Sequence, residues 1–153
     1  MNEGMKRKAL FAGTFDPFTT GHHAIVQRAL SFTDEIVIAI GIHPDKKTLF
    51  SLKERLDFIN NLYADEKRTT VTSYDILTAD FAKQSGVDFI LRGIRNLIDF
   101  EYEKNMADAN LKIAGIETVF LFAEPAFSYI SSSLVRELIN YNKDISNLIP
   151  IKK

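Results

Sequence analysis

Cysteine and tryptophan are absent from this chain, and glycine and proline are sparse, at seven and four residues in 153. Without cysteine there can be no disulfide, no thiolate nucleophile and no Cys-based metal site. Charge of either sign is not in excess: 19 Lys and Arg oppose 20 Asp and Glu, for a formal net charge of −1. A general nucleic-acid or membrane surface draws on many phosphate contacts and is therefore not expected. An anionic ligand would have to be held by local cations, and the places to look are Lys46-Lys47 and Arg92/Arg95. No apolar run approaches the ~20 residues of a membrane-crossing helix, and Met1–Lys8 has too short an apolar stretch for a signal peptide. These absences lead to the expectation of a cytoplasmic protein. The motifs G-x-x-x-x-G-K-[ST], G-x-G-x-x-G and G-x-S-x-G are also missing, which removes a P-loop ATPase, a dinucleotide fingerprint and a hydrolase elbow.

What is present is ordinary globular material, 46% hydrophobic and 25% charged, with twelve Phe to fill a core. The length suits one domain over 1–153, with residues 1–5 expected to be disordered. Apolar runs of strand character occur at Ala9–Ala12, Ile36–Ile42, Thr70–Tyr74, Phe89–Leu91 and Thr118–Phe122. Several are apolar on both faces, as a parallel sheet covered on both sides requires. Helical patterns lie between them at His22–Ser31, Leu52–Tyr63, Leu77–Gln84, Asp99–Ala114 and Ser132–Tyr141. Ser51 and Glu54 form a capping box, and Gly86 and Gly115 mark helix stops. Five strands alternating with five helices predict an α/β fold: a doubly wound, five-stranded parallel sheet with helices on both faces.

Ligands of such sheets sit beyond the carboxyl ends of the strands, and the polar clusters fall there. Gly13-Thr14-Phe15-Asp16-Pro17 is turn chemistry, with Gly13 permitting close backbone approach. Thr19-Thr20-Gly21-His22 opens the first helix, so His22 lies beside the positive end of its dipole, where an imidazole and free N–H groups suit phosphate. His23 and His43 fit ordinary surface or core histidines. Lys46 is a phosphate partner by position, whereas Lys47 reads as solvated surface. Arg92 and Arg95 offer rigid forks for phosphate oxygens, with Asp99, Glu101 or Glu103 as the carboxylates that pair with them. Three acids at Asp99, Glu101 and Glu103 open a helix and complement its dipole. Ser131 or Ser132 caps the last helix, and the hydroxyls of Ser131, Ser132 and Ser133 form an anion site there.

Thr19-Thr20-Gly21-His22 and Ile130-Ser131-Ser132-Ser133-Leu134-Val135-Arg136 resemble the [T/H]-x-G-H and I-S-S-[S/T]-x-x-R motifs of the nucleotidyltransferase superfamily. With Gly13–Pro17, Pro44–Lys47, Arg92–Arg95 and Asp99–Glu103 they are similar to the bacterial phosphopantetheine adenylyltransferase family, over about Lys8–Pro150. The resemblance implies transfer of AMP from ATP to 4′-phosphopantetheine, with a Mg²⁺-bound ATP and a homohexamer. It implies catalytic roles for His22, Lys46 and Arg92, and an acceptor site at Thr14, Lys46, Leu77, Thr78 and Arg92. The nucleotide side becomes Thr14, Phe15, His22, Gly93, Ile94, Arg95, Glu103 and Phe127, Ser128, Tyr129, Ile130, Ser131, Ser132 and Ser133. No residue is assigned as a metal ligand. A nicotinamide mononucleotide adenylyltransferase, a cytidylyltransferase and, more remotely, a non-catalytic nucleotide-binding protein are the alternatives.

Overall fold

A computed structural model of the chain describes residues 4–152. The disorder expected for residues 1–5 thus falls outside the described residues for 1–3, while Met5 is fully solvated. The strands are β1 (Lys8–Gly13), β2 (Glu35–Gly41), β3 (Thr69–Tyr74), β4 (Phe89–Ile94) and β5 (Glu117–Phe122). The helices are α1 (Thr20–Ala29), α2 (Leu52–Leu62), α3 (Thr78–Gln84), α4 (Leu97–Ala114) and α5 (Ser132–Asn140). All strand pairs are parallel, in the order β3-β2-β1-β4-β5.

Successive residues of a strand point to opposite faces, and β1 and β2 bury both. Ala9, Phe11, Ile36, Ile38 and Ile40 pack on one side with Ile25 and Val26 of α1 and Ile59 of α2. Leu10, Ala12, Val37 and Ala39 pack on the other with Ala82 of α3. The sheet is therefore doubly wound, as the continuous apolar runs predict. The expectation of two buried faces fails at the margins: β3 and β5 are edge strands and are only partly buried.

Most boundaries shift by one or two residues from the sequence reading, the first helix running Thr20–Ala29 rather than His22–Ser31, and two shifts bear on the site. β4 continues through Arg92 and Gly93 to Ile94, because those residues pair with Phe120, Leu121 and Phe122 of β5. The fourth helix begins at Leu97, since the Asn96 side chain accepts from the Asp99 amide and serves as its cap. Only Asp99 then lies in the first turn, and Glu101 and Glu103 fall beyond it. The inward face of α4 carries Glu103 and Asn110, two turns apart and buried, whereas Phe100, Met106, Leu111 and Ile113 remain exposed.

Gly86 and Gly115 both take positive φ, 64° and 66°. At Gly115 a Cβ would meet nothing within 4 Å, so only the left-handed backbone penalises a side chain there. Gly115→Ala is expected to lower unfolding stability by about 1 kcal/mol, read as a shifted urea midpoint with an unchanged m-value.

Candidate active site

The pairing of β1 with β4 stops at Phe11↔Leu91, although β1 runs on to Gly13 and β4 to Ile94. β1 is also where the order of the sheet reverses, so the crevice of a doubly wound fold opens at this gap. Beyond the last pair, Arg92 Nη1 donates to the Ala12 carbonyl, 2.5 Å away. A side chain thus satisfies a carbonyl that the ladder leaves open. Two cavities of about 370 and 300 Å³ occupy the crevice. Ala12, Gly13, Thr14, Lys46, Arg92 and Glu103 line both.

His22 is the third residue of α1, and its ring closes a capping box. The Thr19 amide donates to His22 Nδ1 at 3.0 Å, and the His22 amide donates to Thr19 Oγ1 at 3.3 Å. A backbone amide has only a proton to give, so Nδ1 is the accepting nitrogen and the neutral ring carries its proton on Nε2. Burial first, and then the charges of Arg92 and Arg95, lower the His22 pKa to about 3. The ring is consequently a neutral donor facing the larger cavity. Phe15 and Phe18 pack against it, with ring centroids at 5.0 and 5.3 Å. The first residue of the helix is also tied down, since the Thr20 amide donates to the Leu148 carbonyl at 2.9 Å. The Gly21 amide between them belongs to the helix end that lacks intrahelical partners, and Gly21 lines the same cavity.

The cations are held in fixed poses. Glu103 grips Arg92 by both oxygens, at 2.8 Å to Nε and 2.6 Å to Nη2. A guanidinium has five N–H donors; three are engaged here, which leaves two for a ligand. Asp99 grips Arg95 in the same forked way, at 2.9 and 3.2 Å. Lys46 Nζ donates to Thr14 Oγ1 at 2.9 Å. At the opposite wall, Ser131 caps α5 by accepting from the Leu134 amide, and Ser132 Oγ donates to the Pro17 carbonyl. The Ser132 and Ser133 amides head α5, where no intrahelical acceptor is available.

The turn between β1 and α1 depends on Phe15, which adopts φ 50°, a left-handed conformation rarely taken by an aromatic residue. Its ring is buried against Phe11 and Phe18, which holds the conformation. Gly13 is required by this ring, since a Cβ would lie 2.9 Å from it. The close approach that Gly13 permits is therefore made by the protein's own aromatic ring as well as by whatever enters the crevice.

Of the residues singled out from sequence, Thr14, Phe15, His22, Lys46, Arg92, Gly93, Arg95, Glu103, Phe127, Ile130 and Ser131–Ser133 all line the larger cavity. Thr78 lines the smaller one. Ile94 is instead buried and lines neither, because it closes the β4–β5 ladder. Ser128 lines neither cavity, and Leu77 and Tyr129 do not either, both being over half exposed. Lys47 is exposed, as expected. His43 is exposed, as expected of a surface histidine, and also lines the smaller cavity, and His23 bonds the Tyr63 hydroxyl at 2.7 Å. Sequence reasoning missed Asp16 and Arg136 in the larger cavity. It also missed Tyr74, Tyr102 and Asn110 in the smaller one. The Arg136 position in the serine motif was a usable signal; nothing in the local pattern marked Asn110.

Residues 10–138, which take in β2 to β5, most of β1 and the lining of both cavities, match the model of a family described as cytidylyltransferase-like. That span makes the class a nucleotidyltransferase-like one. The phosphopantetheine adenylyltransferase of Bacteroides thetaiotaomicron is 58% identical over 144 residues, covering 94% of this chain and 95% of that protein. Those of Bacteroides fragilis and Flavobacterium psychrophilum are 56% and 49% identical, each over 94% of this chain and over 96% and 95% of their own lengths. The chain belongs to the phosphopantetheine adenylyltransferase family.

The His22 geometry has a pH consequence. Its folded pKa of about 3 lies below the ordinary value near 6.5, so the unfolded chain takes up the proton first. The His22 contribution to stability is intact above pH ~6.5 and is lost as the pH falls toward 3. His22→Gln keeps an acceptor for the capping box and does not titrate. From pH 7 to pH 5 wild type should lose up to about 2 kcal/mol more than His22→Gln in urea unfolding. Parallel pH curves for the two proteins would contradict a neutral buried ring.

Proposed function

We propose that this chain transfers AMP from ATP to 4′-phosphopantetheine, giving dephospho-coenzyme A and pyrophosphate. The observation that carries the reading is the pair of cavities joined along one wall of Thr14, Lys46, Arg92 and Glu103. The larger takes the nucleotide, the smaller takes the acceptor, and the two phosphates meet at the shared wall. The names and 42–58% identity of the relatives support the same chemistry.

In this reaction an oxygen of the acceptor phosphate attacks the α-phosphorus of ATP in line. A new P–O bond forms, the bond to the β-phosphate bridging oxygen breaks, and pyrophosphate leaves with its electron pair. The nucleophile is already anionic, so no protein base is required. The protein has to hold two anions together and stabilise the charge on the transferring group, which makes positioning and preorganised donors the main sources of rate. Lys46, Thr14 and the two remaining donors of Arg92 hold the acceptor phosphate. Neutral His22 donates from Nε2 to an oxygen of the α-phosphate as charge builds there. Arg95 and the Ser132 and Ser133 amides receive the pyrophosphate, with Phe15, Gly93, Glu103, Phe127 and Ile130 completing the nucleotide side. The pantetheine arm runs from Thr78, with the backbone at Leu77, toward Tyr102 and the buried amide of Asn110.

Among the described residues no group of three or more His, Asp or Glu side chains is placed to hold a metal ion. The residues present therefore do not fit a protein-caged Mg²⁺, and in this reading Mg²⁺ arrives with the phosphates of ATP. The reading extends to a homohexamer acting in the cytoplasm. The exposed apolar residues Leu97, Ile98, Phe100 and Ile113 of α4 support self-association. No helix among the described residues is long and apolar enough to cross a membrane.

Two measurements test the function. Pyrophosphate release is assayed with ATP or CTP against phosphopantetheine, nicotinamide mononucleotide and phosphocholine; turnover is expected only with ATP and phosphopantetheine, and preference for another pair would overturn the assignment. His22→Ala is expected to reduce kcat by roughly 10²- to 10³-fold, as for loss of one transition-state donor. An unchanged kcat with only a raised KM for ATP would reduce His22 to a binding residue.

A further inference from the structure

Arg55 and Asp16 lie in neither the sequence motifs' assigned chemistry nor the reaction just described, yet both are buried and charged. Arg55 is 7% exposed and Asp16 is 2% exposed. Burying such groups costs stability unless their donors and acceptors are satisfied, and here each makes at least one bond to the other's loop. Asp16, in the turn after β1, accepts the Leu49 amide on Oδ2 and the Phe50 amide on Oδ1, both at 2.8 Å. Arg55, on α2, reaches back: Nη1 donates to the Thr14 carbonyl at 2.8 Å. Its Nε is shared between the Phe50 and Ser51 carbonyls at 3.2 and 3.3 Å. Two side chains thus cross between the same two loops in opposite directions.

Those loops carry the acceptor groups. One presents Thr14, the other presents Lys46, and the Lys46–Thr14 bond of 2.9 Å spans them. We propose that Arg55, with Asp16, is a positioning residue that sets Thr14 against Lys46 and so builds the acceptor-phosphate half of the site. The inference rests on the adenylyltransferase reading, because that reading supplies the acceptor phosphate.

The nucleotide half has separate supports. His22 is fixed by Thr19, α1 is tied to Leu148, and α5 is fixed by Ser131 and by the Ser132–Pro17 bond. None of these passes through Arg55. Loss of the brace therefore has an asymmetric signature. Arg55→Met removes the donors to all three carbonyls and leaves Arg136 Nη1, 3.9 Å from Oδ2, as the cation beside Asp16. Arg55→Lys keeps the charge but offers a compact ammonium in place of a rigid fork, so it cannot reproduce the three-carbonyl geometry.

The test compares kcat/KM for phosphopantetheine with the equilibrium Kd for a non-hydrolysable ATP analogue. Ile59→Val on the same helix serves as a stability control, since Ile59 is fully buried in the core and touches neither cavity. Arg55→Met should lower kcat/KM for the acceptor roughly 10- to 100-fold, as for a small displacement of reacting groups, with the ATP-analogue Kd within about twofold. Arg55→Lys should fall between Arg55→Met and wild type. Ile59→Val should lower Tm while leaving both constants near wild type. If Arg55→Met does not fold, Arg55→Lys carries the test against Ile59→Val. The brace is wrong if the Arg55 variant matches Ile59→Val in kcat/KM, or if ATP-analogue affinity falls in step with the acceptor constant. A wild-type protein that does not use phosphopantetheine would refute the adenylyltransferase reading instead; the same constants are then measured with the acceptor that the panel identifies.

Discussion

The donation of the Thr19 amide to His22 Nδ1 is the interaction on which the site depends. One hydrogen bond closes the N-terminus of α1 and selects the ring tautomer, leaving Nε2–H as the donor of a residue that lines the cavity. The surrounding aromatic rings and the two arginines then keep the ring uncharged. Neutrality suits the chemistry: the site already holds guanidinium charge, and a rigid neutral donor adds stabilisation at the transferring group without another desolvated cation.

A similar economy governs the cations. Arg92 and Arg95 are each gripped by a carboxylate from α4, Glu103 and Asp99. The pairs reduce the net charge of the crevice while leaving donors to spare. A guanidinium held by both oxygens of a carboxylate has lost its rotamer freedom before a ligand arrives, so less entropy remains to be lost on binding. The inverted character of α4 follows from this demand. The helix must turn Glu103 and Asn110 toward the crevice, which leaves several of its apolar residues outward.

The layered fold was readable from the chain because its signals are local. Apolar runs, the Ser51–Glu54 capping box and the two glycine stops each report on neighbouring residues, and each element appears within a few positions of its expected place. Thr14, His22, Lys46 and Arg92 were also legible, since a polar residue at the carboxyl end of a parallel strand points to a ligand. A carboxylate partner for Arg92 was expected among Asp99, Glu101 and Glu103, and Glu103 fills that role; the partners distant in the chain were not legible. Leu148 meets Thr20 across 128 residues, Arg136 meets Asp16 across 120, and Arg92 meets Ala12 across 80. Such contacts are set by topology, and no periodicity encodes them. The extension of β4 through Arg92 was missed for the same reason: a charged residue does not look like a buried strand until Glu103 is brought beside it.

The central claim is that His22 is an uncharged Nε2–H donor. Nitrogen-15 NMR of the His22 ring in the folded protein, followed from pH 7 down to pH 5, addresses it directly. The expected spectra show a protonated Nε2 and an unprotonated, accepting Nδ1 across the whole range. A ring that gains a second proton near pH 6.5, or one that carries its proton on Nδ1, would contradict it.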